Sequence, residues 1–252
     1  MSRALQEGRG TRPPGAQDEA DASRWVRTMF GRIAHRYDLL NHVLSFNMDR
    51  YWRWRTVRSV RAILRRPDAR ALDLCCGTGD LLLALETERG AAVWGSDFCH
   101  PMLVTAGRKL AAQGCKSALL EADALRLPFA GGTVDLITVA FGLRNLANYE
   151  DGLREMLRVL RPGGTLAVLE FSRPPNRMFA SLYDFYSKRV LPVLGGAISG
   201  AGDAYEYLPD SVRRFPGAEE LAATMTRAGF CDVSFERMTG GIVALHIGRA
   251  SG

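Results

Sequence analysis

From Ala69 onward the chain alternates short apolar runs with stretches of helical periodicity, and no other feature narrows the fold as much. ARALDLCC, AAVWGSD, KSALLEAD, VDLITVAFG and GTLAVLEFS read as strands, and helices are expected at Asp80–Glu88, Pro101–Gln113, Glu150–Leu160 and Ala218–Ala228. Strands that alternate with helices in this way predict an α/β fold, a parallel sheet covered on both faces. CDVSFERMT and GIVALHIGR, separated by Gly240-Gly241, follow as an expected antiparallel pair at one sheet edge.

Three segments stand outside this alternation. Residues 1–23 lack the apolar block of a secretory signal and read as a disordered leader, which places the chain in the cytoplasm. Residues 24–66 form an N-terminal helical segment, read as a substrate lid. It includes a helix from about Asp49 to Arg66 on which Val57, Val60 and Leu64 share a face, with Arg58, Arg61 and Arg65 one position on. Residues 67–252 form the main domain, and within it residues 173–215 far exceed the roughly 15 residues beyond which a connection usually has a job. They are read as a substrate- and membrane-facing insertion. The longest charge-free stretch, around Val190 to Ala201, falls short of the roughly 20 apolar residues of a spanning helix.

The sharpest local signal is Leu72-Asp73-Leu74-Cys75-Cys76-Gly77-Thr78-Gly79-Asp80, a strand entering a glycine-rich turn and then a helix. Glycines there let backbone approach a ligand closely. A dinucleotide fingerprint needs a third glycine where Leu82 stands, and the turn has neither the lysine nor the length of a triphosphate loop. A nucleoside cofactor without phosphates remains, and S-adenosylmethionine fits that description. Asp97 ends the second strand 18 residues after Gly79 and is placed to accept both ribose hydroxyls. Asp123 is expected to accept from the adenine amino group beside the Ala124 backbone, and Asp73 to lie near the methionine ammonium. The cofactor-binding set is thus Asp73, Gly77, Thr78, Gly79, Asp97, Asp123 and Ala124.

The chain has 5 cysteines, with one vicinal pair at Cys75-Cys76, and 4 scattered histidines. Neither set has metal-ligand spacing, so no metal is expected. A net charge of +6 favours an anionic partner, whether nucleic acid, phospholipid or a phosphorylated small molecule.

Tyr37-Asp38-Leu39-Leu40-Asn41-His42-Val43-Leu44-Ser45 with Trp52, the run Arg158 to Ser172 through Arg161-Pro162-Gly163-Gly164, and Phe141-Gly142-Leu143-Arg144-Asn145 together resemble the ubiquinone/menaquinone biosynthesis C-methyltransferases. The resemblance covers about Arg32 to Arg249. It implies a class I methyltransferase, a Rossmann-like fold with a seven-stranded mostly parallel sheet, one antiparallel strand and helices on both faces. It also implies methyl transfer from S-adenosylmethionine to a ring carbon of a polyprenylated quinol, most simply demethylmenaquinol, with a methoxy-polyprenyl-benzoquinol as the alternative. The sequence departs from the family pattern at Leu40, where Met is usual, and at Asp49, where His is usual. Ala140 stands where some relatives carry a serine that contacts the cofactor, so that contact is either lost or made by backbone.

An aromatic carbon becomes a usable nucleophile once a neighbouring hydroxyl ionises, so the site needs a group that favours the quinol anion. Arg144 is the candidate for that electrostatic role. Its own proton is held too tightly for it to serve as base, so a water oriented by Arg144 and Asn145 is expected to take the proton. Tyr37, Asp38 and His42, on the segment that closes over the ring, complete the catalytic candidates. Glu170 and Ser172 end the fifth strand at the sheet edge where ligands bind in open α/β folds. Arg161 to Gly164 reads as a helix stop and turn. In the insertion, Met178, Phe179, Leu182, Tyr183, Phe185 and Tyr186 make an apolar aromatic surface, and Arg177, Lys188 and Arg189 suit anionic headgroups, so peripheral contact with membrane lipid at the inner face is a further expectation.

Two rival classes are weighed. Eight arginines between Arg50 and Arg70, with Trp52 and Trp54 among them, suit an RNA methyltransferase, but the chain has no separate RNA-binding module and nucleic acid is not expected as a partner. A non-catalytic cofactor-binding subunit is the other. The sequence leaves homo-oligomerisation open.

Overall fold

The computed structural model describes residues 10–186, 189 and 202–251. Three helices, α1 (Glu19–Ile33), α2 (Tyr37–Leu44) and α3 (Met48–Leu64), precede β1 (Ala71–Leu74). The alternation follows: α4 (Asp80–Arg89), β2 (Trp94–Asp97), α5 (His100–Ala112), β3 (Ala118–Glu121), β4 (Val134–Ala140), a 3-10 turn at Leu143–Asn145, α6 (Tyr149–Val159) and β5 (Leu160–Phe171). Then come α7 (Arg177–Phe185), α8 (Gly202–Arg214), α9 (Ala218–Ala228), β6 (Phe230–Met238) and β7 (Val243–Ala250). The sheet has 7 strands in the order β3-β2-β1-β4-β5-β7-β6, with β7 antiparallel to both β5 and β6.

Strand residues alternate between two buried layers, as a sheet covered on both faces requires. Leu72, Ile137, Leu166 and Val168 pack with Leu153, Met156 and Met225 of α6 and α9. Their neighbours Ala71, Leu136, Ala167 and Leu169 pack with Val57, Val60 and Leu64 of α3 and with Leu81, Leu82 and Leu85 of α4. The apolar stripe expected on α3 is therefore its core face. Two of the three stripe arginines are ion-paired, Arg61 and Arg65 reaching Glu88 at 2.5 and 2.9 Å, while Arg58 lies over the Trp54 ring; Arg66 shares Asp135 with Arg161. With Arg53 on Asp49 and Arg55 on Glu236, five of the eight arginines that suggested RNA are engaged in ion pairs.

Two expectations need correction. The expected disordered leader lies outside the described residues at 1–9, but residues 10–23 are ordered. There the Thr11 amide donates to the Leu146 carbonyl at 2.9 Å, Thr11 and Pro13 are buried, and Asp18 caps α1 by accepting from the Asp21 amide at 2.8 Å. This polar segment finds partners on the core that its composition does not announce. Arg161 to Gly164 does not stop at a turn either. Val134 pairs with Leu160 and Leu136 with Thr165, so these four residues bulge from a strand that has already begun. Among the described residues no helix is long and apolar enough to cross a membrane.

Candidate active site

The glycine-rich turn leaves β1 with Cys75, Gly77 and Gly79 all at positive φ, 55°, 55° and 86°. This conformation turns the Gly77 amide onto Asp97 Oδ2 at 2.9 Å, while the Cys99 amide donates to Oδ1 at 2.9 Å. Each oxygen keeps a lone pair for a ligand hydroxyl. Burial pushes the Asp97 carboxyl up, against the pull of these amides. Gly77, Asp97, Asp123, Ala124 and Ala140 line a narrow cleft of about 50 Å³ at the carboxyl ends of the strands. Asp123 is exposed there and accepts from the Leu125 amide at 2.9 Å.

Asp73 lies buried at the same strand ends, with Oδ1 accepting from the Thr138 hydroxyl at 2.6 Å and Oδ2 left without a partner. Burial pushes its carboxyl up to about 7. A buried carboxylate oxygen with no donor suits a cationic amine, but Asp73 lines neither cavity, so the fit to an amino-acid nucleoside such as S-adenosylmethionine rests on Asp97 and Asp123 in the cleft. Thr78 and Gly79 do not line the cleft. The Thr78 hydroxyl donates to Asp38 of α2 at 2.5 Å, and Gly79 caps α4 where a Cβ would crowd Ala106. Both help to hold the turn in place. Lys109 adds to this anchorage, 2.6 Å from both Asp38 and Asp80.

A second cavity, of about 1070 Å³, opens among α2, α3, the end of β5, α7 and α8. Trp52, Phe141 and Phe171 form an aromatic wall, with Phe141 centred 5.9 Å from Trp52 and 4.9 Å from Phe171. Phe179, Tyr183 and Tyr186 of the insertion line this cavity, while Met178 is exposed. The side chains of Leu182 and Phe185, and Lys188, lie outside the described residues. Phe30, Tyr37 and Phe141 line both cavities and form the wall they share. Burial raises the Tyr37 hydroxyl above its ordinary value, opposed by its hydrogen bond to Asn41.

Arg144 is buried in the large cavity's wall and is more engaged than expected. Nη1 donates to Glu170 Oε1 at 2.8 Å and to the Phe141 carbonyl at 2.5 Å, and the Arg144 amide donates to Glu170 Oε2 at 3.3 Å. Its Nε–H is buried without a partner. Burial pushes the Glu170 carboxyl up while Arg144 pulls it back down. Asn145 donates to the Phe141 carbonyl at 3.2 Å and accepts from the Tyr207 hydroxyl at 3.0 Å; Tyr207 and Thr11 hydroxyls are 2.5 Å apart. Burial pushes the Tyr207 hydroxyl up to about 12.

His42 does not reach either cavity. Its Nδ1 is 2.8 Å from Asp49, which also takes the Ser45 hydroxyl at 2.8 Å and Arg53. Burial works against the Asp49 charge, but the Ser45 and Arg53 hydrogen bonds outweigh it and hold the carboxyl below its ordinary range. Position 49 is thus a buried anion that pins α2 to α3. Sequence reading also missed Phe30, Tyr207 and the backbone state of Phe141, whose φ of 58° is rare for a bulky side chain. Such strain costs on the order of 1–3 kcal/mol and gathers at functional sites.

An open parallel sheet with a glycine turn after β1 and ligand-facing carboxylates after successive strands is the fold of the Rossmann-like methyltransferases. A SAM-dependent methyltransferase structure from Thermotoga maritima superposes with a TM-score of 0.63 at 18% identity, covering 90% of this chain and 100% of that one. The chain belongs to the ubiE/COQ5 methyltransferase family, whose model matches residues 17–250. It is 52% identical over 221 residues to the demethylmenaquinone methyltransferase of Thermus thermophilus, covering 87% of this chain and 99% of the relative. It is 43% identical over 227 residues to the ubiquinone/menaquinone biosynthesis C-methyltransferase of Geobacter sulfurreducens, covering 88% and 87%. The chain is a methyltransferase.

Proposed function

We propose that this methyltransferase carries the methyl group of S-adenosylmethionine to a ring carbon of demethylmenaquinol. One observation carries this reading: a large aromatic-lined cavity joins the cofactor cleft at Tyr37 and Phe141, with the charged Arg144 in its wall. The names of the relatives from Thermus thermophilus and Geobacter sulfurreducens support the acceptor.

S-adenosylmethionine supplies a methyl group on a positively charged sulfur. Asp97 would hold the ribose hydroxyls, Asp123 and the Ala124 backbone the adenine, and the unpartnered oxygen of Asp73 the ammonium. The backbone at Gly77 and Ala140 completes the cleft. On the acceptor side the Arg144 Nε–H donates to the quinol oxygen and favours its ionised form, though Glu170 offsets part of the guanidinium charge. Water held by Arg144 and Asn145 takes the hydroxyl proton. The ring carbon would then bond to the methyl as the carbon–sulfur bond breaks, leaving a neutral thioether, and its own proton would pass to solvent water to restore the aromatic ring. Tyr37 bounds the junction where the two reactants meet.

The polyprenyl tail leaves by the cavity mouth. Phe46 lines that cavity yet is 75% exposed, and Leu39, Val43 and Met178 are exposed large apolar side chains. Such a rim suits peripheral contact with a lipid surface, from which the tail is drawn. A methoxy-polyprenyl-benzoquinol is the second acceptor to test, because the name of the Geobacter sulfurreducens relative joins both quinones.

Labelled S-adenosylmethionine offered with reduced demethylmenaquinone and, in parallel, the methoxy-benzoquinol tests the reading. Transfer to demethylmenaquinol is expected. Failure with both quinols while cofactor binding is intact overturns the acceptor assignment.

A further inference from the structure

Three aromatic rings, those of Phe30, Tyr37 and Phe141, line both the cofactor cleft and the larger cavity. They come from unrelated parts of the chain, α1, α2 and the segment after β4, and Phe30 meets Tyr37 edge to face at 5.8 Å. Phe141 alone of the three is held at positive φ. Its amide donates to the Leu169 carbonyl at 2.8 Å, and its carbonyl receives both the Arg144 Nη1 and the Asn145 Nδ2. Gly142 follows, where a Cβ would fall 2.4 Å from the Cβ of Cys75, so the backbone is fixed on that side as well. The Phe141 backbone is thus fixed, and its ring packs against Trp52 and Phe171.

We propose that Phe141 is a charge-reading residue: with Phe30 and Tyr37 it forms an aromatic collar that binds the methyl-bearing sulfonium of the donor and directs its methyl toward the larger cavity, and Asn145 positions it through the Phe141 carbonyl. Aromatic faces attract onium cations electrostatically, and cages of such rings recognise them. The collar lies at the junction where a methyl must pass from one compartment to the other. Trp52 and Phe171, packed on Phe141, brace the ring from the acceptor side. This inference rests on the methyl-donor half of the proposed function and is independent of which acceptor is used.

The reading separates two ligands that differ chiefly at the sulfur. S-adenosylmethionine carries the positive charge, and S-adenosylhomocysteine is a neutral thioether. Calorimetric titration of both into the whole protein tests it. Phe141→Leu, which keeps an apolar side chain, is expected to weaken S-adenosylmethionine by about two- to thirty-fold and leave S-adenosylhomocysteine unchanged. Phe141→Tyr restores the wild-type ratio. Asn145→Ala moves the ratio in the same direction as Phe141→Leu. Should Phe141→Leu fold poorly, Phe141→Asn, which tolerates the left-handed backbone, carries the same comparison.

Equal weakening of both ligands, or no change in either, overturns the inference. A Phe141→Leu loss confined to S-adenosylmethionine, in a protein that methylates neither quinol, overturns the acceptor assignment and supports the collar. Intact transfer to the quinol with an unmoved ratio overturns the collar alone.

Discussion

Glu170 Oε1 lies 2.8 Å from Arg144 Nη1, and both side chains are almost wholly buried. The pair joins the end of β5 to the turn after β4, at the edge where the two cavities meet. Removing one member leaves the other charge buried and unmatched, which typically costs about 3–5 kcal/mol. Glu170→Ala is therefore expected to lower the unfolding midpoint strongly and to reduce methyl transfer, since Arg144 loses its anchor. Chemical denaturation beside kinetics on the same variant checks this; an unchanged midpoint refutes it.

Arg144→Lys keeps the positive charge but deletes the planar fork and the Nε–H donor. Loss of one donor to a developing oxyanion commonly costs about 10²–10³ in kcat. A fall of about that size in kcat, with KM for the quinol little changed, is the expected result under steady-state kinetics. A rise confined to KM places Arg144 in binding instead.

The Asp73 carboxyl, ordinarily at 3.8, is pushed up to about 7 by burial. A raised carboxyl holds its proton more tightly folded than unfolded, so its contribution to stability is present below about pH 4 and is lost as pH rises toward 7. For the free protein, stability should decline across that window, and Asp73→Asn should flatten the decline. Binding runs the other way. An ammonium needs the ionised carboxylate, so affinity for S-adenosylmethionine is expected to rise as pH climbs to about 7 and to level off above it, which titration calorimetry at several pH values measures.

Asp97 accepts two backbone amides that hold the glycine turn, and it retains lone pairs for the ribose. Hydrogen bonds to a charged group are worth roughly 1.5–3 kcal/mol each. Asp97→Asn should weaken both S-adenosylmethionine and S-adenosylhomocysteine by about ten- to a hundred-fold, because the ribose is common to both. Discrimination between the two ligands would point to a different site for this carboxylate.

Tyr207→Phe removes the hydroxyl that links Thr11 to Asn145. Leaving Asn145 Oδ1 buried without its donor is expected to cost about 1–3 kcal/mol. The same loss frees the segment around Thr11, so limited proteolysis near Arg12 should accelerate in the variant. Unchanged cleavage there means the backbone bond from Thr11 to Leu146 suffices.

The sheet and the placing of three carboxylates at its strand ends were legible because each rests on local pattern. Asp73, Asp97 and Asp123 lie in or just after strands whose apolar runs are unmistakable, and the fold sends those ends to one edge. Thr78 and Gly79 belonged to the right turn, but residue type alone does not tell a residue that lines a cleft from one that anchors it. Tyr207 and Thr11 meet across 196 positions, a closeness with no local signature. Phe141 escaped notice for a different reason: nothing in composition marks a phenylalanine at positive φ, since the state is imposed by Arg144, Asn145 and Gly142 around it. His42 misled because the partner that claims it, Asp49, is where the family pattern has a histidine.

The position of β7 has a bearing on how the molecule is made. Although β6 precedes it in the chain, β6 bonds to no strand but β7 among the described residues, and β7 alone joins β6 to β5. As the polypeptide emerges, β6 must wait with its edges unmet while the older strands are already in register. The two strands are joined by only a short turn at Thr239–Gly241, so their hairpin closes locally before it docks as a unit. Apart from β1, which starts the sheet, β6 is the one strand whose neighbours all come later in the chain, so its edge is sheltered only once β7 has followed it.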